Sequence, residues 1–260
     1  MDHLLTVAGP MSNTDSRCQC LSSCPNPPLQ GEAFCKKHFQ SCPRRAPTNG
    51  YEPPYDPDIW NNPLVIKVYN CFAYAFNIRD KSQEKRCKEM TKCDVPFHQP
   101  GSISKYPSIS KQKQKTCPNM IARMMGDNPS ILPSAFELKC PAHMSKIALM
   151  VDPKQDYHFV KQDPPDPFTH EKEKEKAIGY FSGKSGELPV TNLDATGHKI
   201  FDVELANFNY ETKSENLKYT EFCGYFCVSR KHVYAAIGGK YRLTKKKSMR
   251  SKRLSRKVSF

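Results

Sequence analysis

The chain has 260 residues, with 40 Lys and Arg against 26 Asp and Glu, and its formal net charge is +14. Its apolar residues concentrate in the stretches 64–78, 119–151, 156–160 and 200–237. This distribution predicts one medium-sized domain with appendages. No apolar run approaches membrane-spanning length, and no basic segment leads into an apolar core near the N-terminus, so we expect neither membrane insertion nor a secretion signal.

Cysteine usage is high, with 12 residues in the chain. Without a secretion signal, this number favours metal ligands, buried thiols or a nucleophile over a disulfide framework. We therefore expect a reducing intracellular compartment, with the nucleus or a virion as the alternatives.

Residues 1–16 are expected to be disordered, and the cysteines then crowd into a small module at 17–42. Thiolate and imidazole groups suit tetrahedral zinc, and a Cys-x-x-His pair is a common half-site. The expected ligands are Cys24, Cys35 and His38, with either Cys18 or Cys20 as the fourth. The stretch FCKKH at Phe34–His38 resembles small Cys-rich modules that end in FC-x-x-H, and this resemblance implies a structural zinc ion.

Prolines dominate the segment 43–63, and their density excludes a regular helix or a central strand. We expect a semi-rigid connector, packed along the next domain by Tyr51, Tyr55 and Trp60. The main domain is then expected at 64–237, as an α+β fold.

The stretch LVIKVYNCFAYAFN at 64–77 carries the candidate nucleophile. Leu64–Tyr69 alternates like a strand, and Phe72, Ala75 and Phe76 follow at helical spacing. Asn70 is a favoured N-cap, which would place Cys71 in the first helical turn. The helix dipole there favours a thiolate and a lowered thiol pKa.

Further elements follow in chain order. Residues 79–118 predict a long polar loop, and Asn119–Gly126 a short helix. Lys146–Asp152 and Asp156–Gln162 predict a β-hairpin that presents His158 from a strand, with His170 beyond it. Short strands are expected at Pro189–Asn192 and His198–Val203, and a longer one at Tyr219–Ser229. Cys223 and Cys227 in the last strand are expected to pack in the core.

The order Cys71, His158, His170 resembles the papain-fold peptidases and amidases of the NlpC type. The resemblance implies a helix that carries Cys and packs on an antiparallel sheet. It also implies Cys71 as nucleophile, His158 as general base and then acid, and a third group that orients the imidazole. The candidates for that third group are His170, Gln162, Asp163 and Asn192. The implied substrate is a peptide, isopeptide or other amide bond.

Four longer stretches resemble a set of uncharacterised proteins from large DNA viruses and some bacteria: NCFAYAFN, DYHFVKQD, PVTNLDATG and FCGYFCV. This likeness implies a viral or microbial source.

The segment 238–260 is expected to be a disordered basic tail. Residues 240–260 contain ten Lys and Arg and no acidic residue. Such a run predicts a salt-sensitive, sequence-independent grip on nucleic acid, although a simply solvated tail fits it equally well. Two hypotheses therefore follow from the sequence. The first is a cysteine hydrolase with zinc and basic appendages, and the second is a non-enzymatic, nucleic-acid-associated or virion structural protein.

Overall fold

The computed structural model describes residues 16–109, 115–165, 179–211 and 216–230. The predicted His170 and basic tail, with residues 1–15, lie outside these ranges. The helices are α1 (Pro57–Trp60), α2 (Val65–Val68), α3 (Cys71–Ala75), α4 (Lys81–Glu89) and α5 (Cys117–Asp127). The strands are β1 (Leu132–Ser134), β2 (Met144–Asp152), β3 (Asp156–Gln162), β4 (Phe181–Lys184), β5 (Val190–Thr191), β6 (Asn209–Glu211), β7 (Asn216–Lys218) and β8 (Glu221–Ser229).

Six strands form one sheet in the order β1-β8-β2-β3-β4-β5, and β6 pairs with β7 in a second, two-stranded sheet. Every pairing is antiparallel. The predicted α+β class is confirmed, and the papain-like architecture stays a prediction.

The predicted hairpin of β2 and β3 forms the centre of the sheet, and its register separates two faces. Leu149 lies opposite Phe159, and both belong to the apolar cluster beneath α3 and α5. Ala148 lies opposite Val160, and both belong to the cluster on the other side. Because successive residues of a strand point to opposite faces, β2 and β3 have a helical face and a second face, here called the module face.

The helical face is covered by α3, as the sequence predicted. The Asn70 side chain accepts a hydrogen bond from the Ala73 N–H at 3.1 Å, so it caps the helix that begins at Cys71. The rings of Phe72 and Phe76 lie 5.5 and 5.9 Å from that of Phe159. This packing fixes the N-terminus of α3 against β3.

The module face is covered by the N-terminal Cys-rich segment and by the chain around residues 201–208. The rings of Phe34 and Phe201 lie 4.6 Å apart. Gln19 is buried, and its Oε1 accepts hydrogen bonds from the N–H groups of Phe201 and Asp202 at 2.6 and 3.0 Å. The Cys-rich segment is therefore a packed part of the fold.

The proline-rich connector is bound to the sheet, in line with its predicted packing. Lys161 is fully buried and donates to the carbonyl oxygens of Pro53 and Pro54 at 2.9 and 3.1 Å. The Asn49 amide donates to the carbonyl oxygens of Cys140, Pro141 and Met144. Backbone carbonyls that are not paired within a helix or a strand thus obtain hydrogen-bond partners from side chains.

Four predicted elements are wrong or incomplete. The connector 43–63 was predicted to exclude a helix, but it contains the one-turn helix α1, because proline is tolerated at the first helical position, where its missing N–H leaves no hydrogen bond unmade. Leu64–Tyr69 is not a strand, because Val65–Val68 form the helical turn α2, and the Ile66 N–H donates to the Asn62 carbonyl at 2.9 Å. The predicted loop 79–118 contains α4, which Asp80 caps at Ser82 N–H. His198–Val203 forms isolated bridges instead of a strand.

The strand β8 departs from simple alternation. The β2–β8 register shifts between Leu149 and Met150, and Gly224, which stands opposite Leu149, has φ of 126°. A side chain is strained at such a φ, so glycine permits the irregularity. As a result Phe222 and Tyr225 join the same cluster, although strict alternation would place residues three apart on opposite faces.

The prediction of reduced cysteines is wrong for eight residues. They form the disulfides Cys20–Cys42, Cys87–Cys93, Cys117–Cys223 and Cys140–Cys227. The expectation that Cys223 and Cys227 serve only as core packing fails with it. Structural disulfides are typical of oxidising environments, so the cysteines no longer support the predicted reducing compartment. Within the described ranges, no helix has the length and apolar character that crossing a membrane requires.

Candidate functional site

Four side chains of the N-terminal module converge on one point. Cys18, Cys24, Cys35 and His38 place their ligand atoms within 4.8 Å of one another. The Cys24 and Cys35 sulfurs are 3.8 Å apart, and His38 Nδ1 lies 3.3 Å from Cys18 Sγ and 3.5 Å from Cys35 Sγ. Tetrahedral zinc with the usual bond lengths requires about 3.8 Å between sulfurs and about 3.6 Å between sulfur and nitrogen. The cluster can therefore hold a metal ion.

Local backbone geometry and burial prepare this cluster. The N–H groups of His38 and Phe39 both donate to the Cys35 carbonyl, in a short turn that places Cys35 and His38 side by side. The Cys35 N–H donates to Cys18 Sγ at 3.3 Å. Burial raises the pKa of the Cys18 thiol to about 11, so a bound cation would have to displace its proton.

Of the two predicted alternatives for the fourth ligand, the structure selects Cys18. Cys20 bonds to Cys42 and cannot supply a thiolate. Between them, Gln19 turns towards the sheet, and its Nε2 donates to the Lys199 carbonyl at 2.9 Å. Three consecutive residues thus have three different roles: Cys18 belongs to the metal cluster, Gln19 makes the contact with Lys199, and Cys20 forms the disulfide. Of these roles, the sequence indicated only metal binding.

The second candidate site is the Cys71 pocket, a cavity of about 140 Å³. Its lining consists of Asn70, Cys71, Gln99, Ile109, Lys115, Asp156, Tyr157 and Gly186. Cys71 lies on the pocket wall at the start of α3, as predicted, with its sulfur 3.8 Å from the Tyr157 carbonyl oxygen. No histidine of the described residues lines this pocket.

The predicted lowering of the Cys71 pKa is wrong. Burial, with a smaller contribution from the Asp156 carboxylate, raises the pKa of this thiol to about 12. The helix that Cys71 opens has only five residues, so its dipole is small compared with the cost of burying a thiolate. At neutral pH the side chain is a protonated thiol.

His158 does not meet Cys71. It stands opposite Met150 in the hairpin, which puts it on the module face, whereas Cys71 belongs to the cluster of the helical face. Its ring lies 5.2 Å from that of Tyr219 and 6.2 Å from that of Phe208. The predicted pairing of Cys71 with His158 is corrected accordingly, because the sheet separates the two side chains.

The predicted orienting groups have other partners. His158 Nδ1 has no hydrogen-bond partner among the described residues. Gln162 donates to the Ala46 carbonyl at 2.8 Å, and Asp163 accepts from Lys161 and Ser182. Asn192 uses its backbone carbonyl to accept from the Ile200 N–H. None of these three contacts orients the His158 ring.

Sequence reasoning missed the charged groups around Cys71. Lys115 Nζ and Asp156 Oδ1 lie 3.7 Å apart at the pocket. Lys184 is fully buried, and its Nζ donates to the Ile66 carbonyl at 2.9 Å and to the Gly186 carbonyl. Burial lowers the pKa of Lys184 to about 8. The sequence did not indicate that Lys184 would be buried, because a buried lysine in a Gly/Ser-rich stretch cannot be distinguished by sequence from a solvated one.

Comparison with known proteins gives no match for this chain among protein-family models, curated proteins or solved structures.

We predict that metal content will distinguish the cluster from the adjacent disulfide. The variants Cys24→Ser and Cys35→Ser each remove a ligand, so bound zinc should fall from about one ion per chain to near zero. The double variant Cys20→Ser/Cys42→Ser serves as the matched control, because it removes two cysteines of the same module and leaves all four ligands. Zinc is measured by plasma mass spectrometry, with circular dichroism to confirm folding. Full zinc in both single variants would remove the site, and loss in a folded double variant would return Cys20 to the ligand set.

Burial of the His158 ring predicts an acid-dependent loss of stability. Burial alone lowers the pKa of His158 to about 4, against 6.5 for an ordinary histidine. Above pH 6.5 both folded and unfolded states are neutral, and the stability is complete. Between pH 6.5 and 4 the unfolded chain binds the proton first, so the free energy of unfolding falls with pH, by about 3 kcal/mol in total.

The comparison that isolates this effect is urea denaturation of the unchanged protein and of His158→Leu between pH 5 and pH 7. Both proteins keep the metal ligands, so acid effects on the cluster cancel in the difference. We expect the unchanged protein to lose about 2 kcal/mol more than the variant over this range. Equal losses would show that His158 is solvated or charged in the folded state.

Proposed function

We propose that this protein is a non-enzymatic zinc-binding protein that associates with nucleic acid. The observation that carries the proposal is the convergence of Cys18, Cys24, Cys35 and His38 at tetrahedral distances. Three thiolates and one imidazole form a donor set that favours zinc, and four protein ligands leave no open position for catalysis. The ion is therefore assigned a structural role.

The position of the cluster supports this role. Cys18 and Cys35 belong to the apolar cluster that covers the module face, together with Met150 and Val160 of the central hairpin, and Cys24 packs against it. The segment has few apolar residues with which to hold its own shape, and the Cys20–Cys42 disulfide closes it only at one pair. A metal ion would contribute folding free energy directly at this point.

The proposed association with nucleic acid rests on charge. The ten Lys and Arg of residues 240–260 lie outside the described residues, and their number is a property of the sequence. Each Lys or Arg that meets a phosphate releases a counterion, so affinity should depend steeply on salt. A nucleic-acid-associated or virion structural protein would use such a segment without any catalytic step.

We expect deletion of residues 240–260 to weaken binding to DNA and to flatten its salt dependence. Each lost phosphate contact should reduce the slope of log affinity against log salt by about 0.7 to 0.9. Fluorescence anisotropy with a labelled DNA strand, at several salt concentrations, measures both quantities in the zinc-loaded protein. The control replaces the same segment by a Gly/Ser sequence of equal length. Unchanged affinity in both forms would remove the tail from the proposal.

A second candidate is the cysteine hydrolase acting on peptide, isopeptide or amide bonds. The observation that favours it is the place of Cys71, which opens α3 on the wall of the pocket. Pockets with a potential nucleophile are the usual position of active sites. With His158 on the module face, the base would have to be another group, and His170, already predicted for the site, lies outside the described residues.

Iodoacetamide at pH 6 separates the two candidates, because the other cysteines are in disulfides or in the metal cluster. With a pKa of about 12, Cys71 should stay unmodified in the native zinc-loaded protein and react only after unfolding. Intact mass and peptide mapping give the result. Rapid labelling of Cys71 that His170→Ala abolishes and His158→Leu preserves would establish the hydrolase and refute the non-enzymatic proposal.

A further inference from the structure

The helix α4 presents a row of cations to solvent. Its buried positions are Gln83, Glu84 and Cys87. The exposed basic side chains of the helix and the turn after it are Lys81, Lys85, Arg86, Lys88 and Lys92. We call these five residues the α4 cationic face, in which Lys81, Lys85 and Lys88 lie on one side of the exposed surface of the helix and Arg86 lies on the other. Lys81, Lys85 and Lys88 follow one another at helical spacing, so their backbone positions are about 5 Å apart along the axis.

Few acidic groups neutralise this face. Glu84 points inward, where its carboxylate accepts from Arg79 Nη2 at 2.7 Å and from the Tyr69 hydroxyl at 3.1 Å. It also lies 3.4 Å from the Nζ of Lys81, whose side chain is 78% exposed. Since Arg79 already neutralises Glu84, the weak contact removes little of the Lys81 charge.

Glu89 is the other acid of the helix, and it pairs with Lys85 at 3.8 Å. Both side chains are largely exposed, 62% and 78%, so this pair stabilises little. Arg86, Lys88 and Lys92 form no ion pair with any residue that the structure describes. The α4 cationic face thus carries an unbalanced positive charge.

The fold holds these charges in fixed positions. The Asp80 side chain caps the helix at Ser82, and the Asp80 N–H donates to the Tyr69 hydroxyl oxygen at 2.7 Å. At the other end, the Cys87–Cys93 disulfide ties the helix to the chain that follows. A cationic surface on a fixed helix loses less backbone entropy on binding than one on a flexible segment does.

We propose that the α4 cationic face is a second contact surface for the phosphate backbone of nucleic acid. The inference rests on the proposed association with nucleic acid and adds to it a surface within the described fold. Charge at regular spacing suits a polyanion, and such contacts give affinity without sequence specificity. An anionic membrane fits less well, because helices that lie on membranes pair their basic face with an apolar one. Among the described residues of α4 and the turn after it, Met90 is the one exposed large apolar side chain.

The test neutralises this face in the full-length, zinc-loaded protein. The variant Lys85→Gln/Arg86→Gln/Lys88→Gln removes three cations, and glutamine keeps a good helix propensity. The matched control Lys67→Gln/Lys139→Gln/Lys154→Gln removes three exposed cations outside α4 and outside the zinc module, so the change in net charge is identical. Both are made in the full chain and in the chain that ends at Gly239, and anisotropy of labelled single-stranded and duplex DNA is measured against salt.

We expect the α4 variant to bind DNA about tenfold more weakly and to reduce the salt slope by about 2 to 3, while the control changes affinity less than about twofold. The effect should persist in the chain that ends at Gly239. Equal weakening by the two variants would show a general effect of net charge and overturn the inference. Loss of binding on tail deletion without any effect of the α4 variant would also overturn it, and would leave the proposed function in place.

Vesicles that contain phosphatidylserine provide the last comparison. If the α4 variant lost binding to vesicles but kept its affinity for DNA, the face would belong to a membrane contact and the inference would fail. Circular dichroism and zinc content identify any variant that does not fold, and single substitutions at Arg86 and Lys88 would then replace it.

Discussion

The central hairpin of β2 and β3 is buried on both sides, and the rest of the structure follows from the need to cover it. Every described position of β2 is buried, including Lys146. Helices cover one face, as in many α+β proteins. The other face is covered by a segment with few apolar residues, which brings Phe34 and Gln19 against the chain at Phe201. A metal ion and a disulfide can hold such a segment together where hydrophobic contact alone would be too weak.

The same hairpin explains why the predicted catalytic pair, Cys71 and His158, does not form. Residues 157 and 158 are neighbours in sequence, yet one faces α3 and the other faces the module. Tyr157 belongs to the same apolar cluster as Cys71, and its carbonyl oxygen contacts the Cys71 sulfur. The His158 ring lies beside the rings of Phe208 and Tyr219 on the other face. A shift of one residue in register would have exchanged them, because the period of a strand is two. The order of residues along a chain carries no information on this point.

Buried lysines are a second consequence of covering the sheet with irregular chain. Lys146, Lys161 and Lys184 are all fully buried, and each donates to backbone carbonyls of chain that lies outside the six-stranded sheet. An ammonium group supplies three donors, so one side chain can satisfy several carbonyls that no strand or helix can reach. Burial lowers the pKa of both Lys146 and Lys184 to about 8. These residues stabilise loops at an electrostatic cost that regular secondary structure would avoid.

The sequence by itself determined the elements whose signals are local. These are the cap at Asn70, the helix near residue 119, the hairpin at 146–162 and the candidate ligands Cys24, Cys35 and His38. All of them depend on residue type and short spacing. Tertiary structure decided everything that depends on which distant segments meet. It joined Cys117 to Cys223 across 106 residues, left Cys18 for the metal cluster by pairing Cys20 with Cys42, and placed His158 away from Cys71. Pairing over such distances is set by the packing of the whole chain. The sequence alone does not distinguish a cysteine that binds metal from one that forms a disulfide or stays free.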